Sequence, residues 1–147
     1  MCIRDSSRVI RQVRPQRVLT SSPERFYERI GASHPDHMTV GEATLRAVYP
    51  DARNPFAFPE LLADEGLDAW TVSEVWLGGS PRTDHAVDVT DVLDRKWAAL
   101  ESHVTQVSHL PEGQLREFVG GWMRQTAQDH GLPEGRSAEA FQVVYTA

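Results

Sequence analysis

The stretch Ser7-Arg8-Val9-Ile10-Arg11-Gln12-Val13-Arg14-Pro15-Gln16-Arg17-Val18-Leu19-Thr20 decides the fold class. Its first half spaces Val9, Ile10 and Val13 as one helical face. Pro15, with no backbone N–H to donate, stops that helix. The apolar run Val18-Leu19-Thr20 follows at once and reads as a buried strand. A helix delivered into a buried strand is the unit of an α/β domain, and the rest of the chain continues the alternation. Residues 21–37 carry many turn formers and no sustained period, which predicts a long loop of the kind that often holds function.

Downstream, Thr39-Val40-Gly41-Glu42 has the capping-box form and predicts a helix through Val48, closed by Pro50. Ala43, Ala47 and Val40, or Leu45 and Val48, are expected to face inward. A short helix is expected at Pro59–Glu65. Strands are expected at Thr71–Leu77, at His85–Val89 and at Ala140–Tyr145, the last with Phe141, Val143 and Tyr145 alternating. Thr90 is predicted to cap a helix whose Leu93, Trp97, Leu100, Val104 and Val107 make one apolar stripe, ended by Pro111. A final helix over about 114–130 is expected to present Leu115, Phe118, Val119, Trp122 and Met123, with His130 and Gly131 suited to its C-terminus. Gly120-Gly121 in mid-helix costs roughly 1 kcal/mol per Gly relative to Ala, so a kink or close packing is implied. The order αβαββααβ gives an α/β class with a sheet that can be mixed.

Composition fits this picture and excludes several function classes. A chain of 147 residues with 40% hydrophobic and 24% charged residues has the size and balance of one domain with one core. Its single cysteine, Cys2, rules out an internal disulfide framework. No apolar run approaches the ~18–20 residues of a membrane span, and the first residues lack a signal peptide's apolar centre. A cytoplasmic protein without a membrane partner is expected. Five arginines stand against Asp5 in the first 17 residues, so with a net charge of −6 the other 130 residues carry −10. An acidic body argues against a nucleic-acid partner, which needs a basic surface. The arginine-rich lead reads as the solvated face of one helix rather than a partner-binding arm.

The concentrated polar feature is His34-Pro35-Asp36-His37. Two imidazoles three apart with a carboxylate between them suit a metal centre, because neutral imidazole ligates zinc and a nearby carboxylate can fix a ring's tautomer. By itself the pattern equally describes a polar surface loop, and that is its first reading. His103 is expected at the edge of the core, His109 and His130 in structural or solvated positions, and His85 on a strand that could line a cleft. Trp70, Trp76, Trp97 and Trp122 read as core. The chain has no G-x-S-x-G elbow, no phosphate-binding glycine loop and no C-x-x-C pair.

From Arg14-Pro15-Gln16-Arg17-Val18-Leu19-Thr20, through His34-Pro35-Asp36-His37 and Gly41-Glu42-Ala43, the sequence resembles the second half of the PIG-L/LmbE family. These are zinc-dependent N-deacetylases and amidases. The likeness continues through Ala47-Val48-Tyr49-Pro50-Asp51-Ala52-Arg53-Asn54-Pro55, Phe58-Pro59-Glu60-Leu61, and Val87-Asp88-Val89-Thr90-Asp91 with Lys96. It reaches Ala99-Leu100-Glu101-Ser102-His103-Val104-Thr105-Gln106 and Ala138-Glu139-Ala140-Phe141, and covers about residues 8–145. The actinobacterial branch acting on N-acetylglucosaminyl-inositol and mycothiol-type substrates is the nearest in flavour.

The resemblance implies a Rossmann-like layered α/β fold and zinc-dependent hydrolysis of an N-acetyl or N-acyl amide on a small glucosaminyl conjugate. It implies His37 as a zinc ligand. His34 would polarise the amide carbonyl, stabilise the oxyanion or donate a proton to the leaving amine, and Asp36 would orient His34 and tune its charge. The family's early A-H-P-D-D motif is absent, so the fold is expected to be partial, with the first strands and two zinc ligands missing. A catalytic zinc usually takes three protein ligands. This chain alone is therefore expected to bind zinc weakly and to be inactive. Residues 1–7 fit no part of the family pattern and read as an artefactual leader, leaving 8–147 as the deacetylase-like part. The rival reading is a non-catalytic α/β binding or assembly domain, or one half of a split amidase. The oligomeric state is open.

Overall fold

The computed structural model describes residues 3–111 and 113–147. Met1, Cys2 and Glu112 lie outside the described residues, as does the expectation attached to Cys2. In chain order the elements are α1 (Ile3–Val13), β1 (Arg17–Ser21), α2 (Pro35–Arg46), α3 (Pro59–Ala63), β2 (Glu74–Gly78), β3 (His85–Asp88), α4 (Leu93–Glu101), α5 (Val104–Val107), α6 (Gln114–Asp129) and β4 (Ala138–Tyr145). A 3₁₀ segment, Tyr27–Ser33, precedes α2. A wide π-type turn, Ala47–Ala52, with a cis Tyr49–Pro50 peptide, follows it. Two compact units divide the chain, one running to Asp84 and taking in Phe141–Ala147, the other His85–Ala140.

In the first unit β1 runs parallel to β2, with Val18 opposite Val75 and Leu19 opposite Trp76. β2 runs antiparallel to β4, with Val75 opposite Val144. The sheet is mixed, as the element order allows. Because side chains alternate along a strand, Val18, Val75 and Val144 share one face. That face is covered by Ile10, Ala47, Val48 and Ala52, and Ile3, Leu45 and Trp70 pack at the rim.

The expectations for α1 and for the start of α2 are corrected. Val9 and Val13 do not face the core, being 55% and 67% exposed; α1 instead buries Ser7, Ile10 and Arg11. The reason is Arg11, whose guanidinium donates to the carbonyls of Asp51, Ala52, Asn54 and Ala57 at 2.9–3.1 Å. Those four bonds rotate the helix toward its polar residues. Arg4 and Arg8 pair with Glu60 and Glu65 at 2.8 Å. The arginine lead is thus a set of internal anchors and not a free solvated face. α1 begins at Ile3, which packs against the core, and its Ser7 is fully buried. The second correction is that α2 begins at Pro35 and not at Thr39.

The second unit opens with β3 and takes in the first residues of β4, Ala138–Ala140. Val89 N–H donates to Ser137 O at 2.9 Å. Asp88, rather than Thr90, caps the turn that leads into α4: its Oδ1 accepts from Thr90 N–H (3.0 Å) and Thr90 Oγ1 (2.6 Å). The expected long stripe is interrupted, because α4 ends at Glu101 and the chain resumes as α5 after His103. Leu93, Trp97 and Leu100 are half-buried, but Val104 is exposed. His103 is exposed at that break, not at a core edge. α6 buries Gly120, Met123 and Ala127 and leaves Phe118 and Trp122 exposed, which corrects the expected face. Trp97 explains the rotation, since a Cβ at Gly120 would sit 3.7 Å from its ring. The ring packs on Gly120 at ordinary contact distance, and α6 runs through the glycine pair as one helix. His130 and Gly131, the latter at φ +73°, close α6 as expected. Among the described residues no helix is long and apolar enough to cross a membrane.

Candidate functional site

The H-P-D-H segment lies in the first unit, where the chain re-enters a helix after leaving the carboxyl end of β1. Two buried serines shape the intervening loop: Ser22 Oγ accepts from Glu24 N–H at 3.1 Å and Ser33 Oγ from Phe26 N–H at 2.6 Å. Ser22 N–H donates to Gly78 O at 2.8 Å, fastening the loop to the end of β2. Gly79, at φ +68°, lets the next loop approach Ala32, where an added Cβ would lie 3.6 Å from the Ala32 Cβ. Arg82 then pairs with Glu24. Ser80 Oγ donates to Gln142 Oε1 at 2.7 Å and accepts from Arg82 N–H at 3.1 Å. The loops at the carboxyl ends of β1 and β2 are thereby tied together, at the end of an α/β sheet where ligands commonly bind.

His34 caps α2. Its Nδ1 accepts from Asp36 N–H at 3.2 Å, and Pro35 occupies the first turn, where its missing N–H costs nothing. This arrangement explains why the helix starts at Pro35. The capping-box pattern four residues later lies within the helix. With Nδ1 engaged as acceptor, the neutral ring carries its proton on Nε2. The Asp36 carboxylate lies 3.7 Å from Nδ1, too far for a hydrogen bond. His37 follows in the first turn, its ring centroid 5.7 Å from that of His34 and tilted by 56°.

The helix start therefore brings all three expected site residues together, with His34 and Asp36 side chains 60% and 88% exposed. What orients His34 is the backbone of Asp36, not its side chain. Two cavities, of about 380 Å³ beside Tyr49 and Tyr145 and about 480 Å³ beside Glu101 and Arg116, are lined by other residues. The zinc that the resemblance implies does not fit the donors present on their own. Among the described residues no group of three or more His, Cys, Asp or Glu side chains is placed to hold a metal ion. His34 already uses Nδ1, and His37 stands as one imidazole.

No family model matches the chain. Among curated proteins it is 33% identical over 130 residues to the 1D-myo-inositol 2-acetamido-2-deoxy-alpha-D-glucopyranoside deacetylase of Rhodococcus jostii, covering 71% of this chain and 43% of that protein. It is 31% identical over 137 residues to the diacetylchitobiose deacetylase of Thermococcus kodakarensis, covering 92% of this chain and 48% of that protein. Its fold matches N,N'-diacetylchitobiose deacetylase from Pyrococcus horikoshii with a TM-score of 0.75 and 25% identity, over 97% of this chain and 51% of that one. The chain is homologous to the PIG-L/LmbE-type deacetylases. As a PIG-L/LmbE homologue it spans about half the length of the relatives it matches. The resemblance read from separated motifs is borne out, and so is the mixed α/β fold. Ser22, Ser33 and Gly79 escaped the sequence reading, because nothing in a serine or a Gly-Gly pair marks it as shaping the loop between β1 and α2.

Proposed function

We propose that this chain contributes part of the site of an N-deacetylase acting on a glucosaminyl conjugate. The observation that carries the reading is His34, anchored through Nδ1 at the head of α2 so that Nε2 holds the donatable proton. Hydrolysis adds water to the amide carbonyl, breaks the C–N bond and leaves a carboxylate and an amine. A donor aimed at the carbonyl oxygen stabilises the charge that develops there, which is worth about 10²–10³ in rate. His34 Nε2 is assigned that role. Asp36, whose N–H engages Nδ1, is assigned the role of keeping that ring in place. His37 is assigned as a ligand of a divalent metal, zinc by the resemblance. The described residues supply no second or third ligand beside it.

A chimera tests the reading: this chain replaces the matched half of the P. horikoshii enzyme, and acetate release from diacetylchitobiose is measured. Hydrolysis that falls about 10²-fold or more in His34→Ala is expected. An active chimera indifferent to His34→Ala removes His34 from the mechanism, and a well-folded inactive chimera removes the deacetylase reading. The chain alone is expected to hold far less than one equivalent of zinc and to release no acetate. One equivalent of zinc, with hydrolysis abolished by His37→Ala, would overturn the assignment of His37 as a lone ligand.

A further inference from the structure

Halfway along α2, the helix lies closer to the end of β1 than any side chain would permit. A Cβ built on the buried Gly41 would stand 2.2 Å from Ser21 O and 3.0 Å from Pro23 N. Both are backbone atoms, so no rotamer change relieves the contact. The strand side is also held. Ser21 sits opposite Gly78 in the β1–β2 ladder, and Ser22 N–H donates to Gly78 O at 2.8 Å. One turn further on, Thr20 Oγ1 donates to Thr44 Oγ1 at 3.2 Å, a second tie between β1 and α2. A bulkier residue at position 41 therefore meets a strand end that is pinned, and the helix is the part that must give.

We propose that Gly41 is a positioning residue: its missing Cβ lets α2 seat directly on the end of β1 and so sets the position of the helix start that carries His34 and His37. Gly41 follows His37 by four residues and His34 by seven, on one continuous helix whose start His34 itself caps. A shift at Gly41 is transmitted to both imidazoles. The consequence for catalysis rests on the deacetylase reading; the geometry does not.

Structures of the chain carrying Gly41→Ala and, as control, Gly31→Ala provide the test. A Cβ at Gly31 would meet nothing within 4 Å. Ordinary contact needs roughly 3.5 Å or more, so Gly41→Ala is expected to carry the His34 and His37 rings about 1 Å away from the end of β1, with β1 and β2 in place. Gly31→Ala is expected to leave the rings unmoved. If the Ser21–Pro23 backbone yields and the rings keep their places, the proposal is overturned. Should Gly41→Ala fail to fold, Thr44→Val, which removes the second tie without added bulk, is expected to move the same rings in the same direction by less; unmoved rings there overturn the proposal equally. In the active chimera, Gly41→Ala is expected to lower kcat by about 10-fold or more with little change in KM, since a 1 Å misplacement costs up to about 10²-fold. An inactive parent chimera sinks the deacetylase reading and leaves the structural result standing.

Discussion

His34 decides where α2 begins. Nδ1 is spent on the backbone of Asp36, which both starts a helix and fixes the tautomer that leaves Nε2 as donor. Histidine is uncommon as a helix cap beside Ser, Thr, Asp and Asn, so the cap was hidden by the stronger Thr39–Glu42 signal. Pro35 with Asp36 behind it was the legible clue, a proline and an acid in a first turn. Asp88 caps conventionally, and its protonation is coupled to stability. Hydrogen bonds from the Thr90 hydroxyl and N–H, aided by Arg136 at 3.1 Å, hold its carboxyl below the ordinary 3.8. A carboxylate with a depressed folded pKa binds fewer protons folded than unfolded, so its stabilisation is complete above the unfolded value and fades as pH falls through the folded one. Asp88→Asn is therefore expected to lower the melting temperature at neutral pH and to flatten the loss of stability below about pH 4. Thermal melts across pH 2–7 check this; parallel curves for parent and variant would show that the carboxylate contributes nothing.

At the scale of elements, strand and helix order was legible and the orientation of helices was not. α6 begins and ends as its sequence says, because Gly113 and Gly131 lie at positive φ just outside it. Its inner face is turned because Trp97 rests on Gly120, and a tryptophan seated on a glycine leaves no apolar period to read. α1 turns for the opposite reason: a buried guanidinium that satisfies four carbonyls outweighs two valines. Arginine in a helix is ordinarily read as solvated, so that grip was invisible in sequence. The two helical glycines that face a neighbour closely also make opposite forecasts. At Gly120 the nearest atom to a new Cβ is the mobile Arg124 Nη1 at 3.3 Å, with the Trp97 ring at ordinary contact distance. Gly120→Ala is expected to stabilise the chain by up to about 1 kcal/mol, the intrinsic helix preference for Ala over Gly. Denaturant unfolding measures it, and a loss of stability would mean that Trp97 cannot yield.

Across the whole molecule, apolar burial is concentrated in one unit. Leu61, Val48, Val72 and Val75 are 2% exposed or less, and all belong to the unit that carries the H-P-D-H segment. The second unit buries Met123, Ala127 and Ala138 as its apolar residues, and no residue of α4 or α5 is buried at all. Burying a Val or Leu side chain contributes about 1.5–3 kcal/mol, whereas the Ala side chain removes little area from water. Ion pairs do not make up the difference. Arg116–Glu101 joins α6 to α4 at 2.6 Å with both side chains about half exposed, and exposed pairs contribute roughly 0–1 kcal/mol. Local opening follows the density of buried apolar contact. Amides of α4 and α5 are expected to exchange with solvent well before those of β2 and of the middle of α2, with α6 between them around Met123. Native-state hydrogen exchange read by mass spectrometry resolves these segments. Protection in α4 equal to that in β2 would show that stability is shared across the chain and that burial is a poor guide to it. The expected order instead leaves His34 and His37 on the more stable unit, carried by the helix that Gly41 seats against β1.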